Sequence, residues 1–112
     1  MNAQKYSIWI EAEEWVVGEW TPRDDNTDVM VTFEDGARWA ATFFSYQNII
    51  SLAEKKRRTG ECLGGKYLVA TDLILVDEVT RQRIEEVVAD MIERDDFETY
   101  FASCEPVAET AV

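Results

Sequence analysis

Histidine is absent from this chain of 112 residues, and cysteine, proline and basic residues are few. Without histidine, the chain lacks the side chain that most often serves as general base, catalytic-triad partner or metal ligand. The two cysteines, Cys62 and Cys104, form neither a CxxC pair nor a disulfide framework, and we expect two idle thiols in a reducing cytoplasm. Glu61 beside Cys62 also disfavours a nucleophilic thiolate, because two neighbouring negative charges repel each other. The sequence therefore predicts a protein that is not an enzyme and that needs no cofactor.

Long apolar runs are missing as well. No stretch approaches the ~20 apolar residues with which a helix crosses a bilayer. Residues 1–4 lack the basic start that precedes the apolar run of a signal peptide. We therefore expect a soluble, cytoplasmic protein with no membrane partner.

Acidic residues, by contrast, are abundant and unevenly distributed. The 23 Asp and Glu outnumber the eleven Lys and Arg, which gives a formal net charge of −12. Residues 11–35 hold nine acids and one base, and residues 72–109 hold twelve acids and three bases. Such a field repels nucleic acid and attracts basic surfaces. We expect a basic protein partner and no nucleic-acid partner, the basic run Lys55–Arg58 being explained by a helix end, where cations are favoured.

The first half of the chain has the periodicity of strands. Tyr6, Ile8 and Ile10 alternate with Ser7 and Trp9, so Trp9 is predicted on the strand face opposite to the two isoleucines. Two further β-rich runs flank the dipeptide Asp35-Gly36. Because Asp-Gly suits the positive φ angles of a tight turn, these runs are predicted to form an antiparallel hairpin.

Capping residues predict two helices in the second half. Ser45 is predicted to cap a helix that stops at Gly60, and Thr80 to cap a helix that reaches Arg94. Between them, residues 67–76 are predicted to form one long central strand or two shorter ones. Residues 97–104 fit either a short strand or a last helical turn.

Together these elements predict one α+β domain spanning residues 1–112. We expect an antiparallel sheet of about four to five strands with two helices packed on one face. Residues 105–112 are predicted to be a frayed tail.

The outer face of the second predicted helix is the sharpest functional signal. Its acids include a like-charge pair at i, i+4, and the helix dipole disfavours those that lie near the helix C-terminus. Arg81–Glu85 and Asp90–Arg94 have the spacing of ion pairs. Acids also surround tryptophan early in the chain, and such combinations suit a protein interface. The predicted partner-binding residues are Glu13, Glu14, Trp15, Glu85, Glu86, Asp90 and Glu93.

Two other functions remain open at this point. The clustered carboxylates could bind a small ligand or a metal in a cleft, although Asp24-x-Asn26-x-Asp28 departs from a calcium loop in having no glycine at its sixth position. The basic and acidic segments could instead pair between copies in a structural homo-oligomer.

The stretch from Val31 to Phe44 (VTFEDGARWAATFF), with Thr59-Gly60-Glu61 and the run DLILV at 72–76, resembles small uncharacterised acidic bacterial proteins. The resemblance covers about residues 28–92; it implies a single-domain cytoplasmic bacterial protein and transfers no functional residue. In composition alone, the chain is similar to immunity proteins, which neutralise basic nuclease toxins. We therefore expect a non-enzymatic binding protein that docks a basic protein, such as an immunity-type inhibitor of a toxin.

Overall fold

Five strands form one sheet in residues 5–104, the part of the chain that the computed structural model describes. The strands are β1 (Tyr6–Ile10), β2 (Asn26–Phe33), β3 (Arg38–Ser45), β4 (Leu73–Val76) and β5 (Ala102–Ser103). They lie in the order β1-β2-β3-β4, and β5 pairs with the first half of β3. The α+β class and the number of strands are confirmed. The predicted tail at 105–112 lies outside the described residues.

The predicted hairpin joins β2 to β3. The N–H of Phe33 donates to the Ala37 carbonyl at 2.9 Å, and the N–H of Gly36 donates to the Phe33 carbonyl at 2.8 Å. Gly36 has a φ of +92°, a conformation that glycine adopts without steric strain. The Asp35 carboxylate accepts a hydrogen bond from the Ala37 N–H and so stabilises the same turn.

Helices connect and cover the strands. A short 3₁₀ helix (Glu11–Glu14) follows β1, α1 (Tyr46–Thr59) and the turn α2 (Glu61–Gly65) precede β4, and α3 (Arg81–Glu93) and α4 (Phe97–Tyr100) precede β5. Within residues 5–104, no helix has the length and apolar character needed to cross a bilayer.

The predicted caps are confirmed. The Ser45 hydroxyl accepts a hydrogen bond from the Asn48 N–H at 3.1 Å, and the Thr80 hydroxyl accepts one from the Arg83 N–H at 3.0 Å. Gly60, with a φ of +89°, ends α1.

One face of the sheet carries the hydrophobic core. Alternate residues of the strands point into it, and α3 covers them with Ile84 and Val88, both fully buried. Each of these two side chains stabilises the fold by about 1.5–3 kcal/mol on burial. Phe97 and Phe101, whose rings stack at 4.3 Å, close the same core from α4 and from the residue that follows it.

The sequence predicts two helices on one face of the sheet, and the position of α1 differs from this prediction. Its residues Ile49 and Leu52 line a cavity with Phe44 and Leu73, which alternate along β3 and β4 with the core residues Phe43 and Ile74. The α1 helix therefore packs at the end of the face opposite to α3. The crossover through α1 also makes β4 parallel to β3, whereas the other strand pairs are antiparallel.

Two ambiguous segments are also resolved. Of residues 67–76, the last four form a strand, and this strand lies at an edge of the sheet rather than in its centre. Residues 97–104 hold both predicted alternatives, a helical turn followed by a two-residue strand.

Candidate protein-binding surface

Arg81 brings the two predicted acidic segments together. Its Nε lies 2.6 Å from Oε2 of Glu13, its Nη2 2.9 Å from Oε1 of Glu13, and its Nη1 2.9 Å from Oε2 of Glu85. Glu13 belongs to the 3₁₀ helix after β1, whereas Arg81 begins α3, 68 positions later. The bidentate contact fixes the 3₁₀ helix against α3. We call the predicted acids Glu13, Glu14, Glu85, Glu86, Asp90 and Glu93 the acidic surface.

Arginines neutralise part of this surface. The hydrogen bonds from Arg81 lower the pKa of the Glu13 carboxyl below its usual value, and the same contacts raise the pKa of Arg81. Arg83 similarly contacts Asp77 at 2.8 and 3.1 Å and also pairs with Glu86, and it lowers the pKa of Asp77. Each arginine thus lies between two carboxylates, so each group of three keeps a net charge of −1.

The acids near the end of α3 remain exposed. Within residues 5–104, the carboxylates of Asp90 and Glu93 have no hydrogen-bond or ion-pair partner. The predicted Arg81–Glu85 pair forms, whereas the predicted Asp90–Arg94 pair is wrong: Arg94 lies beyond the helix and approaches Asp96 at 4.0 Å. The C-terminal half of α3 therefore presents unpaired negative charge to solvent.

Glu14 connects the acidic surface to an exposed tryptophan. Its Oε2 accepts a hydrogen bond of 2.6 Å from the indole N–H of Trp9, whose side chain is 42% exposed. The predicted contact Trp15 is half-buried and packs against the hydrophobic core, as do Trp20 and Trp39. Trp9 is therefore an exposed tryptophan that the predicted set omits, although its alternation with Ile8 and Ile10 already indicated an outward position.

Trp9 also begins an apolar row on the sheet face opposite to the core. The strand register places it beside Met30, and Met30 beside Ala40. Leu73 and Leu75 on β4 lie on the same face and are 42% and 45% exposed. We call these five residues the open sheet face. Trp9, Met30 and Ala40 line a shallow depression of about 250 Å³ on this face, together with Asp28 and Asp72.

A groove separates the outer edge of β1 from α3. It has a volume of about 600 Å³, and its walls are residues 6–8 of β1 and the side of α3 formed by Arg81, Gln82, Glu85, Glu86 and Ala89. Glu85 and Glu86, predicted as contacts from the sequence, thus face an open groove beside a strand edge.

The carboxylates do not line the more enclosed cavity between α1 and β4. That cavity has a volume of about 280 Å³ and is mainly apolar, with Lys56 and Cys62 among its lining residues. Within residues 5–104, no group of three or more His, Cys, Asp or Glu is arranged to hold a metal ion. Cys62 and Cys104 are both free thiols.

The fold and the surface define a small α+β protein with an acidic surface next to an exposed apolar one. Comparison with protein-family models, curated proteins and solved structures finds no significant match.

Proposed function

We propose that this protein is a non-enzymatic binding protein that docks a basic protein partner through the acidic surface and Trp9. The observation that carries the proposal is the contact between Trp9 and Glu14, which places an exposed indole directly beside one acid of the acidic surface. Tryptophan is enriched among residues that dominate binding energy, and complementary charge around such an anchor steers the partner into place.

The charge that remains after ion pairing supports a basic partner. The helix α3 holds two arginines and four acids, a net charge of −2, and Glu13, Glu14 and Asp77 beside it add three further negative charges. Ion pairing has not neutralised this surface, so a basic protein is attracted to it and other acidic surfaces are repelled.

An immunity-type inhibitor of a toxin is the kind of binding protein that we favour. Such an inhibitor needs a complementary surface and no catalytic group, which agrees with a sequence that contains no histidine. The two free thiols support a reducing, cytoplasmic location.

The experiment begins with capture of the partner on the immobilised protein at low salt, followed by its identification, purification and titration. We expect Trp9→Ala to weaken binding by about 30-fold, the usual effect of losing a central anchor worth about 2 kcal/mol. Ile50→Ala is the matched control, since Ile50 is also an exposed apolar residue but lies on α1. Equal affinities of the wild type and Trp9→Ala, or a captured partner with an acidic surface, would contradict the proposal.

A further inference from the structure

One edge of β1 carries backbone groups that point away from the sheet. The N–H of Glu34 donates to the Lys5 carbonyl at 3.1 Å, and the two strands are antiparallel, with Ser7 opposite Thr32 and Trp9 opposite Met30. Because hydrogen-bonded pairs alternate along an antiparallel ladder, Ser7 and Trp9 bond to β2 as Lys5 does. The N–H and C=O groups of Tyr6 and Ile8 therefore point outward, at the end of the strand order.

The contact that Arg81 makes is consistent with this alternation of backbone groups, and it covers one of the outward groups. The Nη2 of Arg81 donates to the Ile8 carbonyl at 2.8 Å. Within residues 5–104, the Tyr6 N–H, the Tyr6 carbonyl and the Ile8 N–H have no such partner. These three groups open onto the groove whose opposite wall is α3. An exposed row of this kind is a template for pairing with another strand.

We propose that the basic partner adds an extended segment to the outer edge of β1, so that the segment lies in the groove between β1 and α3. This inference rests on the proposed function and specifies how the partner is recognised. The Tyr6 and Ile8 backbone groups supply the hydrogen bonds, and lysine or arginine side chains of the segment reach Glu85 and Glu86 on the groove wall.

Charge favours a basic segment over a second copy of this chain. Each copy carries a net charge of −12, and pairing β1 with β1 would bring two α3 helices, each with net charge −2, to the same new edge. The like charges of the two α3 helices would repel each other, whereas alternating basic side chains of a segment meet acids on the groove wall. Backbone pairing itself supplies affinity without requiring a particular sequence.

The test uses a ten-residue peptide of alternating lysine and valine, titrated into the ¹⁵N-labelled protein at low salt. We expect the Tyr6 and Ile8 amides to exchange with solvent at least ~10-fold more slowly when the peptide is bound, because they gain hydrogen-bond acceptors. The Ser7 and Trp9 amides already bond to β2 and serve as internal controls. The peptide with every second residue N-methylated keeps one hydrogen-bonding edge and still binds, whereas the fully N-methylated peptide, with the same charge, loses at least ~10-fold in affinity.

A variant tests the same edge from the protein side. Ile8→Pro removes an outward N–H and no β1–β2 hydrogen bond, so we expect a folded protein that binds the peptide at least ~10-fold more weakly. If this variant does not fold, the comparison of the unmodified and N-methylated peptides tests the proposal.

The outcomes separate the two proposals. If the fully N-methylated peptide binds equally well and shifts only the amides near Asp90 and Glu93, strand addition is wrong while acidic docking stands. If the unmodified peptide does not bind but the captured partner does, strand addition is again wrong. If the Tyr6 and Ile8 amides are already protected and sedimentation shows two chains without peptide, the edge pairs with a second copy and the inference is overturned.

Discussion

Ser45 joins α1 to the loop before β2 through one buried hydroxyl group. The hydroxyl accepts hydrogen bonds from the N–H groups of Asn48 and Asp25 at 3.1 and 3.3 Å, and it donates to the Arg23 carbonyl at 2.9 Å. It therefore fixes the start of α1 and the loop before β2 at the same point. The sequence predicts the cap on α1, but the loop contacts span about 20 positions and have no local signal.

Replacing this hydroxyl tests its structural role. We expect Ser45→Ala to lower the free energy of unfolding by about 2 kcal/mol, because it removes a helix cap and leaves buried backbone groups without a partner. Urea denaturation measures the change, and Ser7→Ala, at an exposed serine, should change stability by less than about 0.5 kcal/mol. Similar losses in both variants would contradict this role for Ser45.

The contact between Glu13 and Arg81 makes a pH-dependent contribution to stability. Hydrogen bonds from Arg81 lower the pKa of Glu13 in the folded protein. The stabilisation is therefore present above the ordinary glutamate pKa, and it is lost as pH falls through the lowered value. Since the Glu13 side chain is 37% exposed, we expect only a few tenths of a kcal/mol.

Comparison of the wild type with Glu13→Gln isolates this contribution. Below about pH 4.5 the wild type should lose stability more steeply than the variant, as measured by urea denaturation across pH 2.5–7. Parallel stability curves would show that the contact does not form in solution.

At the scale of elements, α2 is a left-handed turn that only tertiary contacts explain. Cys62, Leu63 and Gly64 have φ values of 52°, 55° and 69°, and Gly65 has a φ of 81°. Non-glycine residues adopt this conformation at a cost of about 1–2 kcal/mol each. A Cβ atom at Gly65 would lie 2.3 Å from the Ala53 carbonyl oxygen of α1. The close approach of the turn to α1 therefore requires glycine at this position.

Substitutions at two neighbouring glycines distinguish the energetic cost of the backbone conformation from the cost of the close approach to α1. Gly65→Ala should destabilise the fold by more than Gly64→Ala, because a Cβ atom at Gly64 meets no atom within 4 Å. We expect about 1–2 kcal/mol from conformation in both variants and a further loss in Gly65→Ala alone. Equal melting temperatures of the two variants would contradict the close packing of α2 on α1.

Local sequence signals predict most of the helices and strands, but they do not predict how these elements are arranged. Ser45, Gly60, Thr80 and Asp35-Gly36 each act within a few residues, so the sequence predicts the helices and the hairpin that they define. The position of α1 on the second face depends on the long crossover to β4, and the Glu13–Arg81 contact joins residues 68 positions apart. Neither leaves a periodic pattern in the sequence. The Arg81–Glu85 pair was predictable from its i, i+4 spacing. The contacts of Arg81 with Glu13 and of Arg83 with Asp77 were not.

At the scale of the whole molecule, negative charge borders an exposed apolar row. The open sheet face supplies apolar area, and the acidic surface meets it at Glu14 and Trp9. Long-range attraction from a net charge of −12 acts on the rate of encounter more than on the lifetime of a complex. Salt screens such attraction over about 10 Å at 0.1 M.

The central claim is that acids on one surface attract a basic partner, and the association rate constant tests it most directly. We predict that this rate constant falls by about tenfold or more between 20 and 200 mM salt. Asp90→Asn/Glu93→Gln should reduce both the rate constant and its salt dependence. Glu54→Gln/Glu61→Gln, which changes net charge equally on α1 and α2, should have the smaller effect. A rate constant that is independent of salt, or equally affected by both double variants, would contradict the account.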